Sequence, residues 1–266
     1  MNRHEKTGKV RLDRLLVERR LVDSRERAQA MIIAGQIMAN DQKQVKAGAL
    51  VPVDAEIRIL GQQLPYVSRG GLKLEAAIRE FKVTVEGKTA IDVGASTGGF
   101  TDCLLQHGAK KVYAVDVGYA QLAWKLRQDK RIVVMERVNI RHMEPSLIQE
   151  PVDIAVIDVS FISLRKVIPS VLPVLRTHSE IIALIKPQFE VGREHVGKGG
   201  IVRDDASRIE AVQTVKKMFD ETGFDVKGVI PSPITGQDGN VEFLIYASRY
   251  KEEIPRTTDS KLALMP

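Results

Sequence analysis

The chain has 266 residues, 44% of them hydrophobic and 28% charged, with a net charge of +6 and a single cysteine, Cys103. That is ample apolar material for a packed core, but no run of about 18 apolar residues offers a membrane-spanning helix. One cysteine allows no internal disulfide and, beside five scattered histidines, no zinc site is expected. The start is polar and basic without an apolar stretch, so no secretory signal is expected, and the lone thiol fits the cytoplasm.

The charge is unevenly placed. Thirteen Lys/Arg face eight Asp/Glu over residues 1–70, against 27 and 26 over residues 71–266. A basic excess confined to the first quarter is a footprint for polyanion binding. Residues 1–9 read as frayed. Leu12, Leu15 and Leu16 give one apolar face to a helix over Leu12–Arg20. Ser24 caps a second helix over Arg25–Ala34, ended by Gly35. Short strands follow at Gln36–Ala39, Gln44–Lys46 and Glu56–Leu60, with a turn at Asn40-Asp41. The first domain therefore spans residues 1–60 as a small α+β unit, and residues 61–68, with Gly61 and Pro65, read as a linker.

From residue 69 to 250 apolar strands alternate with helices. Strands are predicted at Thr89–Val93, Lys111–Asp116, Ile132–Glu136, Ile154–Asp158, Ile181–Ile185, Phe224–Ile230 and Val241–Ala247. Helices are predicted at Leu72–Phe81, Gly99–His107, Gln121–Arg127, Leu164–Leu175 and Asp205–Thr222. This alternation predicts an α/β domain around a mostly parallel, seven-stranded sheet. Glu190–Gly200 reads as a mobile loop, and residues 251–266 as a polar tail.

The strongest local signal follows the first strand of the α/β region. Asp92 precedes a loop of Gly94, Ala95, Ser96, Thr97, Gly98 and Gly99, which enters a helix at Phe100 and Thr101. No Lys follows the glycines, so this is not a phosphate-gripping P-loop. Nor does the spacing match G-x-G-x-x-G. The pattern resembles motif I of class I methyltransferases, a Rossmann-like fold that binds S-adenosylmethionine. Asp116 closes the next strand, where a carboxylate can take the ribose hydroxyls of a nucleoside cofactor. Asn139, after the third strand, is a candidate near the adenine.

Two segments resemble known families. The first 60 residues resemble the S-four-type RNA-binding domain through Leu12-Asp13, Ser24-Arg25, Ala28, Ile32 and Gly35, with Asn40-Asp41 where Asn-Gly is usual. The rest resembles the FtsJ-like methyltransferases through Ser68-Arg69-Gly70-Gly71-Leu72-Lys73, Asp158-Val159-Ser160-Phe161, Ile185-Lys186-Pro187-Gln188-Phe189-Glu190 and Gly239-Asn240-Val241-Glu242. The combination resembles the TlyA family of rRNA 2′-O-methyltransferases, often called hemolysins. The resemblance implies a Lys-Asp-Lys-Glu tetrad at Lys73, Asp158, Lys186 and Glu242. It implies methylation of cytidine 2′-hydroxyls in 16S and 23S rRNA within ribosomal subunits. Shorter family members act on the large subunit alone, and Met1–Val10 fits the longer kind.

Chemistry gives these residues roles. Lys186 would orient and deprotonate the 2′-hydroxyl, its affinity for protons lowered by a second lysine and the sulfonium. Asp158 would orient Lys186, while Lys73 and Glu242 would hold the ribose. Arg11, Arg14, Arg25, Arg27, Lys43, Lys46 and Arg69 are the candidate RNA contacts. Ser160, Ser163 and His195 have no base-and-orienter pattern in the sequence, which argues against a hydrolase triad. A membrane-lytic protein and a non-catalytic ribosome-assembly factor are the competing readings. No obligate protein partner is evident.

Overall fold

The computed structural model describes residues 8–60, 64–236 and 239–250. The chain divides into two compact units, residues 1–63 and 64–266. Of residues 1–9, expected to be frayed, the first seven lie outside the described residues, as does the polar tail beyond Tyr250, while Lys9 stands in a strand paired with Pro52.

The first unit begins with strand β1 (Lys9–Arg11), then helices α1 (Leu12–Glu18) and α2 (Arg25–Ile33). Ser24 Oγ caps α2 by accepting from Arg27 N at 3.2 Å. Strands β2 (Ile37–Ala39), β3 (Gln42–Gln44), β4 (Leu50–Pro52) and β5 (Ile57–Ile59) follow. β2 pairs with both β3 and β5, and β1 pairs with β4, all antiparallel. Leu12, Leu15, Leu16, Ala28, Ile32 and Ile37 form the core. The predicted strand at Gln44–Lys46 is displaced to Gln42–Gln44. Asn40 and Asp41 both take left-handed φ, +48° and +60°, so the two-residue loop demands the earlier register. β1 and β4 were not predicted, because β1 begins in the stretch read as frayed and β4 ends in a proline.

The second unit starts earlier than predicted. Residues 64–68 were expected to be linker, yet Tyr66 is buried and its hydroxyl donates to Glu75 at 2.5 Å. Val67 N donates to Asp102 at 2.9 Å. In chain order the unit holds α3 (Gly70–Phe81), β6 (Thr89–Val93), α4 (Gly99–Gln106), β7 (Lys111–Asp116), α5 (Trp124–Arg127), β8 (Ile132–Glu136), β9 (Val152–Ile157), α6 (Leu164–Val171) and β10 (Leu175–Ile185). It closes with α7 (Pro187–Glu190), α8 (Asp205–Glu221), β11 (Asp225–Pro231) and β12 (Phe243–Arg249).

The seven strands run β11-β12-β10-β9-β6-β7-β8. β8, β7, β6, β9 and β10 pair in parallel, and β12 is antiparallel to both β10 and β11. A β6 buried at every residue explains its continuous apolar sequence. Chain order reverses at β6, which lies between β7 and β9. Ligands of open α/β sheets bind in the crevice beyond such a switch point, at the carboxyl ends of the strands. The Glu190–Gly200 loop is more structured than expected, with a 3-10 turn at Arg193–His195 and a bridge between Gly197 and Ile201.

Candidate active site

Beyond the carboxyl ends of β6, β9 and β10 lies a crevice with two lobes. Gly94, Ser96, Asp158, Ser160 and Phe161 line both lobes, so the two open into each other. The first lobe, about 560 Å³, holds Lys73, Asp158, Lys186 and Glu242 together with Arg69. The second, about 640 Å³, holds Asp116, Asn139 and Arg141. Both are the size of a small-molecule site.

Four charged side chains from distant parts of the chain meet in the first lobe as two ion pairs. Lys186 Nζ lies 2.7 Å from Asp158 Oδ1, and Lys73 Nζ lies 2.6 Å from Glu242 Oε2. Lys73, Lys186 and Glu242 are buried. Asp158 and Lys186 sit just past β9 and β10, Glu242 just before β12, and Lys73 on α3. The antiparallel direction of β12 brings its start to the edge where the parallel strands end. The second lysine was expected to act directly on Lys186. Instead it is engaged by its own carboxylate.

Close backbone approach shapes the junction of the lobes. Gly94 has φ of +86°, and a Cβ there would sit 2.4 Å from the Asp158 carbonyl oxygen. No other residue fits that position. Gly236 similarly leaves room for Glu242, whose Oε1 would lie 2.5 Å from an added Cβ.

The glycine loop divides into residues that face the crevice and residues beneath it. Gly94, Ala95, Ser96, Thr97, Gly99 and Phe100 line the first lobe. Asp92 and Thr101 are fully buried and line neither lobe, and Gly98 turns toward Leu122 and Leu126. Thr101 Oγ1 donates to Asp92 Oδ2 at 2.6 Å, while Asp92 Oδ1 has no partner. Burial, reinforced by the charges of Asp158 and Asp116, pushes the Asp92 carboxyl up to about 7. Asp116 accepts from Ser96 N at 2.8 Å and Gly118 N at 2.6 Å, which fixes its carboxylate at the mouth of the second lobe. Asn139 caps a 3-10 turn, accepting from Arg141 N at 3.1 Å.

Residues 66–249 match the FtsJ-like methyltransferase family. The chain belongs to that family.

Among relatives of this FtsJ-like protein, YqxC of Bacillus subtilis is 52% identical, covering 90% of this chain and 85% of the relative. The 16S/23S rRNA (cytidine-2′-O)-methyltransferase TlyA of Mycobacterium tuberculosis is 43% identical, covering 90% and 89%. A solved structure from Streptococcus thermophilus, described under the hemolysin name, is 43% identical with a TM-score of 0.72, covering 94% of this chain and 93% of that one. Among the described residues no helix is long and apolar enough to cross a membrane.

The methyl donor that goes with an FtsJ-like methyltransferase is S-adenosylmethionine, and the second lobe fits its nucleoside. Asp116 keeps lone pairs for ribose hydroxyls beyond its two backbone bonds. The glycine loop presents no lysine for a pyrophosphate, which this donor lacks.

Ser160 belongs to the site and Glu190 braces it, roles that the sequence does not reveal. Ser160 Oγ accepts from Lys186 Nζ at 2.8 Å. Glu190 accepts from Ser163 Oγ at 2.6 Å and Leu164 N at 2.8 Å, tying the segment after β10 to the segment after β9. Burial raises the Glu190 carboxyl above its ordinary value. His195 meets Ser207 on α8 at 3.0 Å and lines neither lobe, so no serine–histidine pair forms in the crevice.

The basic residues of the first unit are largely committed to their own fold. Arg11 and Arg25 hold the buried Asp13, Arg14 pairs with Glu18, and Arg27 pairs with Asp23. Lys43 and Lys46 are exposed and have no ion pair among the described residues. Arg69 is exposed at the edge of the first lobe.

Proposed function

We propose that this enzyme methylates the ribose 2′-hydroxyl of cytidine in 16S and 23S rRNA within ribosomal subunits, in the cytoplasm and without an obligate protein partner. The observation that carries this is the two Lys–carboxylate ion pairs meeting in one lobe, which opens at Asp158 into a nucleoside-sized second lobe. S-adenosylmethionine supplies an electrophilic methyl group that needs no further activation. The protein has two tasks left, alignment and removal of the hydroxyl proton.

Lys186 performs the second. Asp158 and Ser160 fix the direction of its Nζ, whose lone pair would take the 2′-hydroxyl proton while the methyl group passes from the donor's sulfur to the oxygen and the donor leaves as a neutral thioether. Lys73 and Glu242 hold the ribose. Asp116, Asn139 and the crevice-facing residues of the glycine loop hold the cofactor. Asp92, Gly98 and Thr101 support that loop from beneath. Residues 1–60 serve as an S-four-type RNA-binding domain. There Lys43, Lys46 and the outer faces of Arg11, Arg14, Arg25 and Arg27 meet phosphates, with Arg69 beside the site. Such contacts track RNA shape and backbone and weaken with salt.

The test is transfer of tritiated methyl from S-adenosylmethionine to ribosomal subunits, followed by mass spectrometry of the digested RNA. The expected product is 2′-O-methylcytidine. Lys186→Ala should lower turnover by about 10²–10⁴-fold, the usual contribution of a positioned proton acceptor. Near-normal turnover in a folded Lys186→Ala enzyme overturns the assignment of Lys186. Absence of methyl transfer by the parent protein overturns the substrate.

A further inference from the structure

The rim of the second lobe carries a feature that the catalytic residues do not explain. Val117 and Gln121 line the lobe, and the loop that holds them exposes Tyr119 with 65% of its surface open. Trp124, at the start of α5, is 75% exposed. One face of the Tyr119 ring is covered by the Arg137 guanidinium, 4.1 Å from the ring centre. The other face has no aromatic neighbour among the described residues.

This stack is held in place from both sides. Arg137 N donates to Gly118 O at 3.0 Å, and Gln121 N donates to Glu136 Oε1 at 3.1 Å. Ala120 and Arg137 take left-handed backbone, φ +55° and +59°, although neither is glycine. A surface loop gains no core packing from such strain. Strain of this kind collects where a side chain must be aimed.

Charge identifies what the stack is aimed at. Arg137 and Arg141 have no ion-pair partner among the described residues, and the neighbouring Glu136 is answered by Arg127. The rim thus offers a planar cation and an open aromatic face beside an unpaired arginine. Single-stranded RNA is held by base stacking on aromatic rings and by guanidinium contact with phosphate and base faces.

We propose that Tyr119 and Arg137 form a platform for a nucleotide flanking the methylated one. The base stacks on the open face of Tyr119, and the guanidinium meets the adjoining phosphate. This rests on the rRNA substrate proposed above.

Tyr119→Ala, Tyr119→Phe and Arg137→Ala enzymes, assayed with ribosomal subunits and S-adenosylmethionine, test it. Tyr119→Ala and Arg137→Ala should raise KM for subunits about 5- to 100-fold, the effect of losing a base–aromatic stack. Turnover at saturating subunits and KM for S-adenosylmethionine should hold, and Tyr119→Phe should match the parent. Arg137→Ala should also lower the slope of log affinity against log salt by about 0.7–0.9, one phosphate's share. An unchanged KM for subunits overturns the platform. So does a raised KM for S-adenosylmethionine alone, which would make the rim a cofactor contact. If the parent methylates no RNA, the substrate proposal fails instead. Direct binding of a single-stranded RNA oligonucleotide by the same variants then decides the platform on its own: weakened binding supports it and unchanged binding overturns it.

Discussion

Each unit contains a fully buried aspartate, and their surroundings are opposite. Asp13 in the first unit receives Arg11 at 2.9 and 3.0 Å, Gln29 at 2.8 Å and Arg25 at 3.1 Å. These partners hold its carboxyl far below the usual range. Asp92 in the second unit receives one hydroxyl, leaves an oxygen unpartnered and meets only like charges, which together with burial raise it to about 7. In the first unit, therefore, several surface arginines are spent on the fold. In the second, an unbalanced carboxylate lies beneath the glycine loop, and the rim arginines have no ion pair among the described residues. A charge count along the chain does not distinguish these uses.

Asp92→Asn tests the comparison with the largest stability effect. The folded state keeps a proton on Asp92 that the unfolded chain releases at about pH 4. The group's contribution to stability therefore falls as pH rises from the ordinary carboxylate range to about 7, and is constant above that. Asparagine cannot ionise, and its carbonyl still accepts from Thr101. At pH 8 the variant should be more stable than the parent, by at most about 4 kcal/mol at about 1.4 kcal/mol per pH unit. The difference should vanish near pH 4. Urea unfolding at both values measures it, and a variant less stable than the parent at pH 8 would show the carboxylate to be well held.

Asp13→Asn should act in the opposite direction. Loss of the carboxylate leaves Arg11 and Arg25 with a weaker acceptor and should cost about 1–3 kcal/mol at pH 7. The folded-state carboxyl lies below its unfolded value, so its stabilisation is complete above that value and drains away as pH falls below about 4. The deficit of the variant should shrink in acid, as read by urea unfolding at pH 7 and pH 3. A constant deficit would mean that shape rather than charge holds the site.

The same contrast explains what the sequence could reveal. Strands β6 and β7 match their predicted limits because burial on both faces makes continuous apolar runs, and the half-buried edge strand β8 matches through its run Ile132–Met135. The reversed direction of β12 leaves no such trace, since an apolar run reads alike both ways. The two members of each ion pair in the crevice lie far apart in sequence, and motif resemblance, not spacing, brought them together. The sequence shows Ser160 and Glu190 only as members of motifs, because the partners that give them roles, Lys186 and Ser163, are 26 and 27 residues away. Tyr119 and Arg137 stand on opposite sides of β8, so their stacking exists only in the folded chain. A basic sequence shows the arginines of the first unit as candidate RNA contacts but does not disclose that Arg11 and Arg25 also hold the buried Asp13.

The smallest effect sharpens the distinction between buried and exposed pairs within the first unit. Asp41 pairs with Arg58 at the surface, with 74% and 55% of the two side chains exposed. Exposed pairs contribute about 0–1 kcal/mol. Asp41 also holds φ of +60° in the β2–β3 turn, where glycine carries no steric penalty. Left-handed backbone costs most L-residues about 1–2 kcal/mol, and aspartate somewhat less. Asp41→Gly trades the first quantity for the second, so it should be neutral to stabilising by up to about 1 kcal/mol. It should be insensitive to salt, because screening has already removed most of what the pair supplies. A salt-dependent loss above about 1 kcal/mol would place this exposed pair beside the Asp13 cluster as a true support of the fold.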